Sequence, residues 1–408
     1  MVLSLSFKNI WRNRVRSLVV VMAMTVGLTG GIMAVAIMQG MVNQKVHTSI
    51  HTEVGHIQIH DEGYLLNPEL RRYIPNADSV VAYAQRLEGV RAATRRTRVP
   101  VMINTARVST GINLVGIDPP NERLVSELYT TVPDTSGTFF GGDRPNELVI
   151  SQALADKLKA RLRSKVVITL QDTSGNLTGA AFRVTGIFST FNAPFDQGNA
   201  FIRSTTFQNL SMLPPGASHE VAILLHTPER LDAVKQALEA RFPNLTVRTW
   251  QEVQPEVALL SGWMAVMNYF IVGIILLTLG FGILNTMLMA VMDRVKEIGM
   301  LMAVGMSRTR VFAMIMLETI FLSVMGGAGG TTISLLLLSK LKTTGIDFSA
   351  YSEGLESIGY PSMIYPTISG QFFVGLAILV LLTGVLSAMY PARKAVRLKP
   401  VEAIRADT

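Results

Sequence analysis

The chain has 408 residues, of which 49% are hydrophobic and 16% are charged, a balance typical of a membrane protein with a sizeable folded part outside the bilayer. Its formal net charge is +8, but thirteen of the 37 basic residues crowd into residues 1–17, 293–310 and 391–408, beside apolar runs. Because basic residues flank membrane spans on the cytoplasmic side, this charge indicates topology and argues against a nucleic-acid partner. The absence of cysteine excludes disulfides, thiol catalysis and thiolate metal sites on this chain.

Residues 1–17 mix apolar and basic side chains, which predicts an amphipathic helix at the cytoplasmic interface or, alternatively, a plain charged flank. Residues 18–39 follow as the first predicted membrane span, since about 20 apolar residues cross a bilayer core. A strip of small residues and methionines in this span predicts close helix packing or the wall of a cargo cavity. The candidates for that wall, with two methionines of the second span, are Met24, Thr25, Gly30, Gly31, Met264 and Met267.

Residues 40–262 contain no apolar run long enough to cross a membrane, so we predict one large extracytoplasmic region. Alternating strand and helix patterns predict two βαβ halves, at about residues 53–117 and 218–250, with a β-rich insertion at about 118–217. The first predicted strand covers residues 54–60. Its alternation places two isoleucines inward and the polar side chains of His56, Gln58 and His60 outward.

Four of the six histidines lie close together in the sequence, at His47, His51, His56 and His60. Histidines four residues apart on a helix can bind a metal. However, the last two fall in the predicted strand, and no cysteine or acidic pair completes a site apart from the nearby Glu53, Asp61 and Glu62. The sequence therefore predicts solvated histidines and no metal site.

The C-terminal part predicts three further spans, at residues 263–292, 311–338 and 371–390. A cytoplasmic segment (293–310) and a second outer loop (339–370) separate them, and a basic tail (391–408) follows. As a helix, the second span is roughly 43 Å long, so it is expected to extend beyond the ~30 Å bilayer core toward the outer region. Glu318 lies inside the third span and must face protein or water, either packed near the cytoplasmic interface or in a proton relay.

The cytoplasmic segment is predicted to be a short amphipathic helix, because Val291, Val295, Ile298 and Met302 recur at helical spacing. Such a helix, held between two spans, needs a partner to dock against it. The sequence lacks the phosphate-binding G-x-x-x-x-G-K-[ST] loop, a zinc motif and a nucleophile elbow. We therefore predict that the chain by itself is neither an ATPase nor another enzyme.

Three stretches carry a family resemblance. The pattern Arg294, Glu297-Ile298-Gly299, Ala303 and Gly305 before an apolar span resembles the coupling helix of FtsX-like, MacB-type ABC transporter permeases. The residues around Lys8 to Ser17 and from Tyr390 to Arg405 are similar to the beginning and the end of that family. The phrase Val115-Gly116-Ile117-Asp118-Pro119 resembles the subgroup of lipoprotein-releasing (LolC/LolE-type) transmembrane subunits. One departure is Arg163-Ser164, where the resemblance leads us to expect a Gly-Asp turn.

The resemblance implies a fold with four transmembrane helices and an α/β extracytoplasmic domain of two βαβ halves with a β-rich insertion. It implies a permease of the inner membrane, with both termini in the cytoplasm and the large domain in the periplasm. ATP and magnesium would bind a separate ABC ATPase, and no cofactor is expected on this chain. The residues implied to contact that ATPase are Arg294, Lys296, Glu297, Ile298, Gly299, Ala303 and Gly305.

The resemblance also implies a dimer with a second permease copy or a paralogue. The similarity of residues 115–119 to the lipoprotein-releasing subgroup implies extraction of acylated lipoproteins from the inner membrane for transfer to a periplasmic carrier. One alternative is a MacB-type efflux permease that works with an adaptor and an outer-membrane channel. Another is a signalling permease that moves no cargo, although its outer domain is normally smaller than the one predicted here.

Overall fold

The computed structural model describes residues 6, 11–12, 14–142 and 146–397, apart from the side chains of Arg16 and Ala265. The chain divides into two compact units. We call them the helical unit (Met1–Val42, Gly262–Ile346 and Ile364–Thr408) and the sheet unit (Asn43–Ser261 and Asp347–Met363). Most of the amphipathic helix predicted at residues 1–17 and the tail from residue 398 onward lie outside the described residues.

In chain order, the helices are α1 (Arg14–Thr48), α2 (Ala77–Ala84), α3 (Pro119–Val125), α4 (Gln152–Leu158), α5 (Ala193–Gly198), α6 (Ser204–Ser211), α7 (Leu231–Arg241), α8 (Trp250–Val253), α9 (Pro255–Asp293), α10 (Val295–Ala303), α11 (Arg308–Thr344), α12 (Ser352–Ser357) and α13 (Gly370–Val396). The strands are β1 (Ile57–Asp61), β2 (Val90–Asn104), β3 (Ser109–Ile117), β4 (Glu147–Ser151), β5 (Lys165–Gln171), β6 (Leu177–Phe188), β7 (Asn199–Arg203), β8 (Glu220–Leu225), β9 (Leu245–Thr249), β10 (Ile346–Asp347) and β11 (Met363–Ile364). A π-helix covers Ser49–Val54, and short 3-10 turns cover Leu128–Thr131, Asp134–Ser136, Pro228–Arg230 and Ser349–Tyr351.

Four helices of the described chain, α1, α9, α11 and α13, are long and apolar enough to cross a membrane. Each contains one of the four predicted spans and runs beyond it, because the polar flanks remain helical. The first helix runs past residue 39 to Thr48, and the last continues through Pro391 to Val396. Pro391 lies inside that helix, and Ala388, Ala392 and Ala395 beside it are fully buried.

The sheet unit is organised around a nine-stranded sheet in the order β3-β7-β4-β6-β5-β2-β8-β1-β9. Because β3 also pairs with β2, the strands β2, β3, β7, β4, β6 and β5 close into a six-stranded barrel. Its interior is filled by apolar side chains such as Ile103, Leu114, Ile150, Ile168 and Phe182. The predicted β-rich insertion is this barrel, but β3 belongs to it, so the lobe begins before the predicted boundary at residue 118.

The remaining strands form a four-stranded sheet in the order β2-β8-β1-β9, antiparallel throughout. The helices α2 and α7 belong to the same apolar core as these strands, whose centre includes Ile57, Ile59, Val80 and Leu238. The connection is β-α-β followed by β-α-β, the split βαβ arrangement. The two predicted βαβ halves are therefore present, and both contribute to one sheet.

The prediction that His56, Gln58 and His60 face solvent is wrong. All three are buried, with His60 only 1% exposed, since the π-helix and α3 add apolar residues to the second face of this sheet. Burial lowers the pKa of His60 and, with the charge of His51 opposing protonation, lowers the pKa of His56 to about 4. These rings are therefore neutral packing groups at pH 7.

Candidate functional site

Within the predicted cytoplasmic segment, residues 293–310, the helix α10 lies between the ends of two long helices. Arg294 stands at its N-terminal cap, and its carbonyl oxygen accepts from the amide of Ile298 at 2.9 Å. Ile298 is 3% exposed and shares a core with Val311 and Ile315 of α11. The predicted amphipathic helix is therefore present, and its apolar side anchors it to the bundle.

Arg294 turns toward the bundle, where its Nη1 lies 3.1 Å from Oε1 of Glu318, and both side chains are 11% exposed. A carboxylate inside a membrane span must face protein or water. Glu318 faces protein, because it forms an ion pair with Arg294 at the end of the second long helix. Arg294 is thus a poor candidate for direct contact with a docked protein. Its ion pair instead fixes the start of α10 against α11.

The exposed surface of α10 combines charge with apolar side chains. Glu297 pairs with Arg12, and both side chains are about half exposed. Lys296 and Ala303 are exposed, as are the apolar Met300 (60%) and Val304 (85%). Sequence reasoning missed the last two and Arg12, although exposed apolar residues beside charges are the usual signature of a docking surface.

Two glycines of the predicted coupling motif have structural roles. Gly299 is buried in α10. Gly305 ends the helix at φ 101°, a conformation that favours glycine, while the amide of Met306 donates to Leu301 O at 3.0 Å. A cavity of 390 Å³ lies against α10 and is lined by residues of α9, α10 and α11, including Met287, Ile298 and Met314.

The residues predicted to line a cargo cavity are dispersed. Thr25 donates through Oγ1 to Gly326 O at 3.3 Å, and buried Met24 packs against the same glycine, so both serve contact between α1 and α11. Gly31 is in close contact with Ile275 of α9, whereas Gly30 is exposed. The two methionines, Met264 and Met267, are partly exposed.

An apolar groove of 370 Å³ lies between α1 and α9, along residues 19–27 and 274–286. Among the predicted cavity residues only Met24 lines it. Thr25, Met24 and Gly31 thus fit the packing alternative, and a role of these residues in binding cargo stays a prediction.

The phrase at residues 115–119 has a clear structural role. A side chain at Gly116 would meet Thr97 and Phe207, and Ile117 is fully buried at the end of β3. Asp118 is the N-terminal cap residue of α3, and Pro119 occupies its first turn, where a missing N–H has no consequence. These residue types are thus explained by a strand-to-helix turn.

Two family descriptions match the chain. Residues 17–241, more than half of it, match the MacB-like periplasmic core domain, and residues 269–400 match the FtsX-like permease C-terminal region. The first covers most of the sheet unit together with α1. The second covers most of the remaining long helices and the whole of α10.

Several proteins are similar along the sequence. The uncharacterized ABC transporter permease YknZ of Bacillus subtilis is 23% identical, with 98% of both chains covered. The uncharacterized ABC transporter permease MJ1507 of Methanocaldococcus jannaschii is 28% identical over 55% of each chain. The pyoverdine export ATP-binding/permease protein PvdT of Pseudomonas fluorescens is 23% identical over 98% of this chain but only 59% of its own length.

Two solved structures are also similar. The extracellular domain of the ABC-type transporter YknZ from Gram-positive bacteria gives a TM-score of 0.34 at 15% identity, covering 47% of this chain and 99% of that one. The periplasmic region of MacB from Actinobacillus actinomycetemcomitans gives 0.36 at 13% identity, covering 52% and 95%.

The two matches agree with the structure: the α/β unit lies in the region of the periplasmic core match, and three of the four membrane-length helices lie wholly or partly in the permease match. The chain is therefore a membrane protein with an extracytoplasmic domain, and it belongs to the FtsX-like, MacB-type family of ABC transporter permeases.

Proposed function

We propose that this chain is the permease subunit of an ATP-driven transporter whose ATP is hydrolysed by a separate ABC ATPase. The observation that carries the proposal is the alignment with PvdT of Pseudomonas fluorescens, a protein named as both ATP-binding and permease. Nearly all of this chain aligns with only 59% of PvdT. The chain also lacks a phosphate-binding loop. We therefore propose that ATP and magnesium bind to an ABC ATPase outside these 408 residues.

The exposed surface of α10 is the proposed docking site for that ATPase. Its apolar pair, Met300 and Val304, supplies area for burial, and Lys296 with Glu297 supplies polar contacts at the rim. The buried Arg294–Glu318 pair ties α10 to α11, so a push on α10 would be passed to the long helices. This proposal places α10 and both chain termini on the cytoplasmic side of the inner membrane, as the positive charges predict.

For the cargo, we propose export of a substrate from the periplasm or outer leaflet, in the manner of an efflux permease with an adaptor and an outer-membrane channel. The support is that several relatives are named as pyoverdine export proteins. Extraction of acylated lipoproteins for a periplasmic carrier is the second candidate. Its sequence support includes the 115–119 phrase, and the packing of Gly116 and Ile117 accounts for that phrase without cargo.

In either case we propose that two permeases act together, as a homodimer or with a paralogue, and that α9 transmits movement of α10. Native mass spectrometry of the complex from its own membrane tests partner and cargo together. We expect an ABC ATPase in the complex, accompanied by an adaptor. A co-purifying triacylated protein would instead assign lipoprotein release, and the absence of any ATPase in gentle detergent would contradict the permease proposal.

The docking site is tested by Glu297→Arg. We expect the variant to lose most of its transport-coupled ATP hydrolysis, because a reversed charge on the proposed contact surface repels the partner. The matched control is Glu229→Arg, an equal charge reversal at an exposed position of the sheet unit, which should leave coupling unchanged.

Because Glu297 also pairs with Arg12, the double variant Arg12→Glu with Glu297→Arg separates the two roles. If Glu297 contacts the ATPase, the swapped pair stays uncoupled although the internal ion pair is restored. Full recovery in the swapped pair would show that Glu297 acts only within this chain, and the docking surface would then have to lie elsewhere.

A further inference from the structure

Three metal-ligating side chains come together in the sheet unit, outside the surface discussed so far. His47 lies near the end of α1, His51 lies in the π-helix that follows, and Glu127 lies just after α3. One ligand atom from each lies within 4.8 Å of the other two. The sequence places Glu127 far from the histidines, so their pattern alone did not show the third ligand.

The arrangement is held by the backbone. The amide of Glu127 donates to the carbonyl oxygen of His51 at 2.7 Å, which fixes the carboxylate beside that ring, and Oε1 of Glu127 lies 3.8 Å from Nδ1 of His51. The rings of His47 and His51 are stacked, with centroids 4.1 Å apart. Both histidines lie where α-helix passes into π-helix, a rare geometry that concentrates at functional sites.

The neighbouring histidine is not a fourth ligand. His56 lies edge-on to His51 at 6.0 Å between centroids, but its ring is buried and its Nδ1 accepts from the amide of Leu225 at 3.2 Å. The cluster therefore offers two imidazoles and one carboxylate. Because His47 and Glu127 are exposed, a fourth position remains open to solvent.

We propose that His47, His51 and Glu127 form a binding site for a zinc-type divalent transition-metal ion. Two histidines and one carboxylate with an open position are a recurrent zinc ligand set, and imidazole ligands select against the oxygen-preferring magnesium and calcium ions. Ligand atoms bound to one zinc ion lie about 3.4 Å apart, so the three side chains need only small rotamer changes to close around it. A bound ion would cross-link the end of α1 to the chain that follows α3.

The test is isothermal titration of zinc chloride into the full-length protein in nanodiscs, purified with a histidine-free tag. We expect one zinc ion bound per chain, and no binding of magnesium or calcium. His47→Ala and His51→Ala should each weaken zinc binding by more than the ~10-fold that loss of a supporting partner costs. The control is His226→Ala, an exposed histidine outside the cluster, which should bind zinc as the unaltered chain does.

Glu127→Gln provides a second variant that keeps the size of an exposed side chain and its backbone hydrogen bond. It should also weaken zinc binding, while its thermal midpoint without metal stays unchanged. Zinc binding that survives in the His47→Ala/His51→Ala double variant would overturn the proposal. So would an equal loss of binding in His226→Ala, because zinc would then be held by exposed histidines without a defined site.

Discussion

At the scale of single residues, the sheet unit depends on charges that are buried with their partners. Arg96 lies between Glu122 and Glu220, with N–O distances of 2.7 and 3.0 Å, and none of the three side chains is more than 3% exposed. Although burial opposes it, the neighbouring Arg98 and Arg96 hold the pKa of Glu220 below its ordinary value. Removing one partner from such a group typically costs about 3–5 kcal/mol, because a buried charge is left uncompensated.

A further buried carboxyl, that of Asp196, makes the sheet unit sensitive to pH. Burial raises the pKa of Asp196 to about 7, and the nearby charge of Glu53 acts in the same direction. Hydrogen bonds from Thr190 favour the charged carboxylate and offset part of this rise. The folded chain therefore holds a proton that the unfolded chain releases near pH 4. Stability from this group is complete below that pH and falls as pH rises toward 7, by up to roughly 4 kcal/mol.

We expect the thermal midpoint of the protein to be lower at pH 8 than at pH 5, and Asp196→Asn to reduce that difference. The control is Asp232→Asn, at an exposed position of α7, which should keep the pH dependence of the unaltered chain. Thermal unfolding of the three proteins at both pH values decides the matter. An unchanged pH dependence in Asp196→Asn would show that another group is responsible.

Some residue-level features were predictable and others were not. The resemblance led us to expect glycine near Arg163, and the structure places Arg163 at φ 70°, where glycine has no steric penalty. The burial of Arg96 was not predictable, because strand alternation gives its face but not the helix that covers it. The burial of His56 and His60 was missed for the same reason.

At the scale of elements, the long helices associate through glycines. A side-chain carbon at Gly330 of α11 would lie 2.9 Å from Cβ of Leu28, and Thr29 donates to the carbonyl oxygen of Gly330 at 3.3 Å. Gly326 makes a similar contact with α1. Small residues at such crossings let two backbones approach closely, which stabilises helix pairs in a membrane.

We predict that Gly330→Val lowers the thermal midpoint of the protein, since overpacking of this kind costs about 1–3 kcal/mol. Gly30→Val is the matched control, because a side-chain carbon at Gly30 meets no heavy atom within 4 Å. Both changes put valine into a long apolar helix, so the difference between their midpoints isolates the contact. Equal midpoints would contradict the tight crossing of α1 and α11.

The elements themselves were largely predictable from the sequence. The apolar length of each span and the helical spacing around Ile298 are local signals, and the structure shows four long helices and α10 where they indicate. The inward turn of Arg294 was not predictable, because it depends on Glu318, 24 residues later and on another helix. The apolar groove between α1 and α9 was not predictable for a similar reason, because it depends on where two helices diverge.

At the scale of the whole molecule, each of the two units has an apolar core of its own. Composition and charge predicted the division into a membrane part and a large outer region. Closure of the barrel was not predictable, because the ring also needs the pairing of β3 with β7, whose paired residues lie more than 80 positions apart. Such pairings depend on the final packing of the sheet rather than on any local pattern.

The fifteen residues of β2 have a mechanical consequence. Residues near the start of this strand bond to β8 of the split βαβ sheet, and residues near its end bond to β3 and β5 of the barrel. Neither lobe can peel away while β2 remains in place. Because β2 belongs to both lobes, we expect a pulling force on the sheet unit to unfold them together, with a single rupture event in a force trace rather than two.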